Sequence, residues 1–159
     1  MINKNDTYKW WIDKKSNKIK IDDSIFDCRK PIRGIYGIFI YKGSREYCAY
    51  VGKSTNIYAR FFCDNGHLVQ IKNECCNNKS INDALQDYNS ILEIRILEEV
   101  VCQYDDYFKD MQRLSFAENY YISKYQELNQ CLEQLPDGSN MDKLIWEQEK
   151  KKNEENLEV

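Results

Sequence analysis

The stretch from Gly34 to Gly52 constrains the fold more than any other. GIYGIFIY (residues 34–41) is rich in β-branched and aromatic side chains, KGSRE (42–46) supplies a turn, and YCAYVG (47–52) reads as the returning strand of a hairpin. Ser54 or Thr55 then caps a helix starting near Asn56. Ile57, Tyr58, Phe61 and Phe62 keep helical spacing in it, and Asp64, Asn65 and Gly66 end it. Residues 67–90 are mixed, with an NECCNNKS loop and a short helix over 80–88. ILEIRILEEV (91–100) is a third strand: Leu92, Ile94 and Ile96 alternate with Glu93 and Arg95, so one face is buried. A long helix is predicted from about Tyr104 to Glu127, then a loop at LPDGSN (135–140), then a charged helix fraying into a tail.

This order predicts a small α+β domain, an antiparallel sheet of about three strands flanked by helices. It spans residues 33–132, after a basic arm (1–32) and before a loop and charged C-terminal helix or tail (133–159). The arm is expected to carry one short helix or strand and to dock through Trp10 and Trp11. With 159 residues there is room for one domain of common size. No apolar run approaches the roughly 20 residues that cross a bilayer, and the N-terminus lacks the apolar core of a signal peptide. A soluble, cytoplasmic chain with no membrane partner is the expectation.

Seven cysteines, an odd number without CxxC spacing, read as free thiols in a reducing compartment. Cys63, His67, Cys75 and Cys76 make a poor zinc set, because the adjacent pair departs from the usual ligand spacing; half-buried small side chains are the plainer reading. The net charge of −3 conceals an asymmetry: residues 1–60 hold 13 Lys/Arg against 6 Asp/Glu, and residues 61–159 hold 10 against 20. An acidic total argues against a general polyanion binder, yet the basic first third leaves room for one cationic face.

Within the long helix, Leu114, Ala117, Tyr121, Tyr125 and Leu128 define an inward stripe, and Glu118 lies on or beside it. A carboxylate directed at apolar surroundings is costly unless it pairs with a cation or binds a metal. Glu118 therefore either snorkels or pairs with a Lys or Arg, or it ligates a hard cation such as Mg2+. Tyr36 and Tyr50 lie on neighbouring strands, and Arg60 sits on the helix after Gly52. A tuned phenol serves as acid or base, and a guanidinium holds phosphate through paired N–H donors. Taken singly, each is equally at home as a core tyrosine or a solvated arginine.

Together these residues resemble the GIY-YIG endonuclease family. Gly34-Ile35-Tyr36 is similar to its first triplet and Tyr50-Val51-Gly52 to its second, with valine for isoleucine. Lys53-Ser54-Thr55-Asn56-Ile57 follows, and Arg60 stands ten residues after Tyr50, where the family places its arginine. Ala117-Glu118-Asn119-Tyr120-Tyr121-Ile122 resembles the helix bearing the family's metal-binding glutamate, and Asn129 matches its later asparagine. Two departures stand out. The triplets are separated by 13 residues (37–49), a longer hairpin than the commonest form, and Asp64 occupies the place four after the arginine where a histidine or tyrosine is usual. His67, the only histidine, either fills that role from a different place or is an ordinary surface or core histidine.

The resemblance implies hydrolysis of a DNA phosphodiester with a divalent ion, Mg2+ or Mn2+, leaving a 5′-phosphate and a 3′-hydroxyl. It assigns Glu118 to the metal, Arg60 to the scissile phosphate, Tyr36 to activation of water as a phenolate or through a relay, and Tyr50 to orienting the nucleophile. Lys53 lowers the phenol or contacts phosphate, Asn129 holds the geometry, and Gly34 and Gly52 permit close backbone approach. A restriction-type homodimer, a repair nuclease and a mobile-element nuclease are its versions. The alternative is a catalytically inactive GIY-YIG-fold module that binds DNA or another protein.

Overall fold

The computed structural model describes residues 17–135 and 143–157. Its elements run β1 (Ile19–Ile21), a 3-10 turn (Asp23–Phe26), β2 (Gly34–Lys42), β3 (Arg45–Ser54), α1 (Ile57–Phe62), α2 (His67–Lys72), α3 (Lys79–Gln86), β4 (Ser90–Glu99), α4 (Tyr107–Gln126) and α5 (Lys143–Leu157). The α+β class holds, but the sheet has four strands in the order β1-β4-β2-β3 and is mixed, not three-stranded and antiparallel. The added strand is β1, which pairs parallel with β4 at Leu92–Ile94.

Only three residues long and set among charges, β1 has too little alternation to be read locally. Its partner makes it a strand: Leu92 N donates to Lys18 O at 2.8 Å and Asp22 N to Ile94 O at 3.0 Å. Lys18 Nζ donates to Ala84 O at 2.6 Å, to Ser90 O at 2.7 Å, and to Asp87 O, so one ammonium closes the C-terminal end of α3. Ile19 and Ile25, inside the stretch expected to be an arm, are core residues. Trp10 and Trp11 lie outside the described residues.

β2 is central and carries core on both faces. Tyr36 and Ile38 join Ile57, Phe61, Leu68, Ile71 and Ile81 of α1, α2 and α3 on one face. Ile35 and Phe39 join Cys48, Val51, Leu114 and Ile122 beneath α4 on the other. A bulge in β3 shapes the site. Ile38 pairs with Tyr50 and Phe39 with Cys48, so Ala49 is the extra residue. It keeps Tyr50 on the Tyr36 face and turns Cys48 toward α4. The carbonyl of Ala49 accepts from Asn78 Nδ2 at 2.9 Å, and Asn78 also caps α3.

As an edge strand, β3 would leave its outer backbone unpaired. Residues 130–134 cover it. Cys131 N donates to Cys48 O at 2.8 Å, and Cys48 N donates to Gln130 Oε1 at 2.7 Å. The Gln134 amide both accepts from Val51 N and donates to Val51 O, each at 2.6 Å.

α4 begins later than the predicted Tyr104, because the Asp106 carboxylate accepts from Phe108 N and Lys109 N and caps it there. The stripe through Leu114, Ala117, Tyr121 and Tyr125 faces the core as expected, but Leu128 is 60% exposed, since the helix has already ended at Gln126. Helix α2 lies where the sequence pattern was mixed. All seven cysteines are free. Among the described residues no helix is long and apolar enough to cross a membrane.

Candidate active site

Four of the expected site residues meet on the α1–α2 face of the sheet. Tyr36 is fully buried, with its ring edge-on to Phe61 at 5.1 Å and to His67 at 5.3 Å, and tilted against Tyr50 at 6.2 Å. Its hydroxyl shares a 2.5 Å hydrogen bond with His67 Nε2, and the Tyr50 phenol and the Arg60 guanidinium lie close enough to act on it electrostatically. Tyr50 and Arg60 are half-buried and form the outer side of the cluster, whereas His67 is buried behind it.

Local geometry explains how a histidine seven residues past Arg60 reaches this place. Gly66 packs against the Arg60 and Phe61 carbonyls, where a Cβ would overlap both oxygens, and α2 starts at once with His67. Asp64, at the position where the resemblance anticipates a ring, is exposed. Gly52 is equally constrained: a Cβ there would overlap Tyr36 Cζ and Oη. The Tyr36 hydroxyl thus occupies the space a side chain on β3 would take. Gly52→Ala is expected to displace the ring and cost about 1–3 kcal/mol, a price typical of overpacking. A thermal midpoint unchanged within about 1 °C would contradict that packing.

Burial pushes the Tyr36 phenol well above its usual range. The neighbouring Tyr50 adds to the rise, and the Arg60 cation opposes it less strongly. A neutral hydroxyl, not a phenolate, is the resident form. His67 is lowered to about 3, first by burial and then by repulsion from Arg60, so its imidazole is neutral and Nε2 is able to accept from Tyr36 in the Nδ1–H tautomer.

A second group lies where α4 crosses the end of β3. Lys53 Nζ stands 3.6 Å from Glu118 Oε1 and donates to Ser115 Oγ at 3.1 Å; the two charged side chains are 24% and 13% exposed. Glu118 therefore pairs with a lysine, one of the two readings left open by its spacing. The pair is long enough that the ammonium makes its hydrogen bond to Ser115. Carboxylate oxygens are hard donors of the kind that suit Mg2+ or Mn2+, which keep several waters and take one or two carboxylates from the protein. Among the described residues no group of three or more His, Cys, Asp or Glu converges to cage an ion. Glu118 would offer an ion one carboxylate, not a closed structural site.

The two groups lie on opposite faces of the sheet at the Gly52–Lys53 step, because successive residues of a strand point to opposite sides. Gly52 contacts Tyr36, and Lys53, paired with Ile35, turns toward α4. Gly34 sits against the Glu98–Glu99 backbone of β4. Asn129 is exposed with φ 57° in the turn after α4, and its N–H donates to Gln126 O at 3.0 Å. It serves that left-handed turn, a conformation asparagine tolerates well. Ser115 went unanticipated; its signal was a polar residue one helical turn before Glu118. Compared with known proteins, the chain matches no family model, no curated protein and no solved structure.

Proposed function

We propose that the chain is a metal-dependent DNA endonuclease that hydrolyses phosphodiesters to 5′-phosphate and 3′-hydroxyl ends. The observation that carries this reading is the convergence of Tyr36, Tyr50, Arg60 and His67 from four separate elements, with the Lys53–Glu118 pair one residue further along β3 on the other face of the sheet. Attack on phosphorus builds negative charge on the non-bridging and leaving oxygens, and these residues supply cations and a proton path.

Arg60 holds the scissile phosphate through its planar N–H donors, and Lys53 contacts a neighbouring phosphate oxygen. Tyr50, half-buried, orients the attacking water. The water's proton passes to the Tyr50 oxygen, the Tyr50 proton to Tyr36, and the Tyr36 proton to His67 Nε2, so no phenolate accumulates. A phosphate against Arg60 offsets the smaller part of what keeps a proton off His67, the larger part being burial. Glu118 would hold the divalent ion, which supplies Lewis-acid stabilisation of the leaving 3′-oxygen when bound.

Incubation of supercoiled plasmid with the full chain tests this. Nicked or linear DNA with ligatable ends is expected in Mg2+ or Mn2+, and intact plasmid in excess EDTA. Salt-dependent DNA binding with no cleavage in either metal would overturn the nuclease reading. It would favour the inactive DNA-binding module, to which the complete burial of Tyr36 also lends support.

A further inference from the structure

We infer that Cys48 and Cys131 form a disulfide-forming pair, a modification site that fastens the C-terminal cover to the strand bearing Tyr50, Gly52 and Lys53. Two residues 83 apart in sequence are placed side by side by the bulge and the cover together. The bulge at Ala49 turns Cys48 toward α4, and residues 130–134 lay Cys131 along the edge of β3. Cys131 N donates to Cys48 O at 2.8 Å, so the two backbones are adjacent. Both side chains are fully buried in the same apolar cluster, and each thiol acts electrostatically on the other, while Cys48 Sγ donates to Tyr50 O at 3.7 Å. Disulfides need this kind of neighbouring backbone placement.

The two thiols differ: the neighbouring Cys48 thiol lowers that of Cys131, while Cys131 and then burial raise that of Cys48. The Cys131 thiol donates to Gln134 Oε1 at 2.6 Å, the oxygen that also accepts from Val51 N. Its backbone has φ 58° and follows Asn129 at φ 57°, a left-handed conformation costly for a residue with a Cβ. Strain in a short cover whose Leu132 and Leu135 are exposed favours local opening, which gives a small oxidant access to the buried sulfurs.

The oxidant is a low-molecular-weight disulfide. The Cys131 thiolate attacks one of its sulfurs and expels one thiolate. Cys48 then attacks Cys131 Sγ in the mixed disulfide and expels the second small thiol. Two electrons pass from the cysteines to the reagent, whose S–S bond becomes two thiols carrying the two cysteine protons.

The pair is independent of the nuclease reading, and so is its test. The full chain is equilibrated with oxidised glutathione, quenched with N-ethylmaleimide and digested without reduction. A peptide linking Cys48 to Cys131 is expected by mass spectrometry. It should persist when Cys28, Cys63, Cys75, Cys76 and Cys102 are all replaced by Ser, and disappear in Cys131→Ser. The thermal midpoint should rise by about 5 °C or more and fall back with dithiothreitol, since the bridge closes a long loop. Hydrogen exchange at the Val51 amide should slow in parallel. Mixed disulfides confined to other cysteines, with Cys48 and Cys131 alkylated only after denaturation, would overturn the inference.

Discussion

Glu118→Ala is expected to lower plasmid cleavage by about 10³-fold or more while leaving the chain folded. The two halves of that expectation have separate grounds. Catalytically, Glu118 is the carboxylate that the proposed metal requirement rests on, and among the described residues no group of three or more His, Cys, Asp or Glu converges to hold an ion in its place. Structurally, the chain keeps a partner for the cation that the substitution exposes. Lys53 Nζ, 3.6 Å from Glu118, also donates to Ser115 Oγ at 3.1 Å, so its ammonium is not stranded when the carboxylate is removed. Circular dichroism and the thermal midpoint should therefore stay close to those of the parent, and weak DNA binding through Arg60 and Lys53 should survive. Undiminished nicking by this variant in Mg2+ would remove the metal assignment. Loss of cleavage accompanied by unfolding would show that Glu118 is mainly a partner for Lys53.

How legible was this site in the sequence? The hairpin was open to reading because β2 and β3 are long, β-branched and separated by a polar turn; β4 was open because Leu92 and Ile94 alternate with charges. The positions of Tyr36, Tyr50 and Arg60 followed from those elements. What escaped depends on contacts remote in sequence. β1 exists as a strand only against Leu92–Ile94. His67 reaches Tyr36 through the seating of Gly66 on the Arg60 and Phe61 carbonyls, a three-dimensional fit with no periodic trace. The cover over β3 relies on two glutamine side chains standing in for backbone, and Gln130 and Gln134 carry no pattern that announces it. Glu118 shows the limit most directly. Its spacing announced a buried carboxylate in need of a partner, and only the fold names Lys53.

The second large effect is acid lability governed by His67. Unfolded, its imidazole titrates near 6.5; folded, burial and Arg60 depress it to about 3. Between those values the unfolded chain binds a proton that the folded chain refuses, so stability is full above pH 6.5 and declines as pH falls toward 3. From pH 6.5 to 4.5 the loss comes to about 2–3 kcal/mol, a sizeable part of the roughly 5–15 kcal/mol that holds a domain together. The other groups facing the ring are Tyr36, Tyr50, Phe61 and the Arg60 cation. Asp87 is lowered to about 2, chiefly by the Asn89 amide and Lys42, and Asp110 is lowered chiefly by the Gln103 amide. Their stabilisation is lost only below about pH 4, the ordinary carboxylate range, and leaves the upper window to His67. Urea midpoints measured from pH 7 to 4.5 should fall steadily for the parent. For His67→Phe, whose ring suits the aromatic pocket, they should start lower, because the Tyr36 hydroxyl loses a partner, and then run flat. A variant whose midpoint fell as steeply as the parent's would place the acid-sensitive group elsewhere and leave Tyr36 without the neutral acceptor that the proton relay requires.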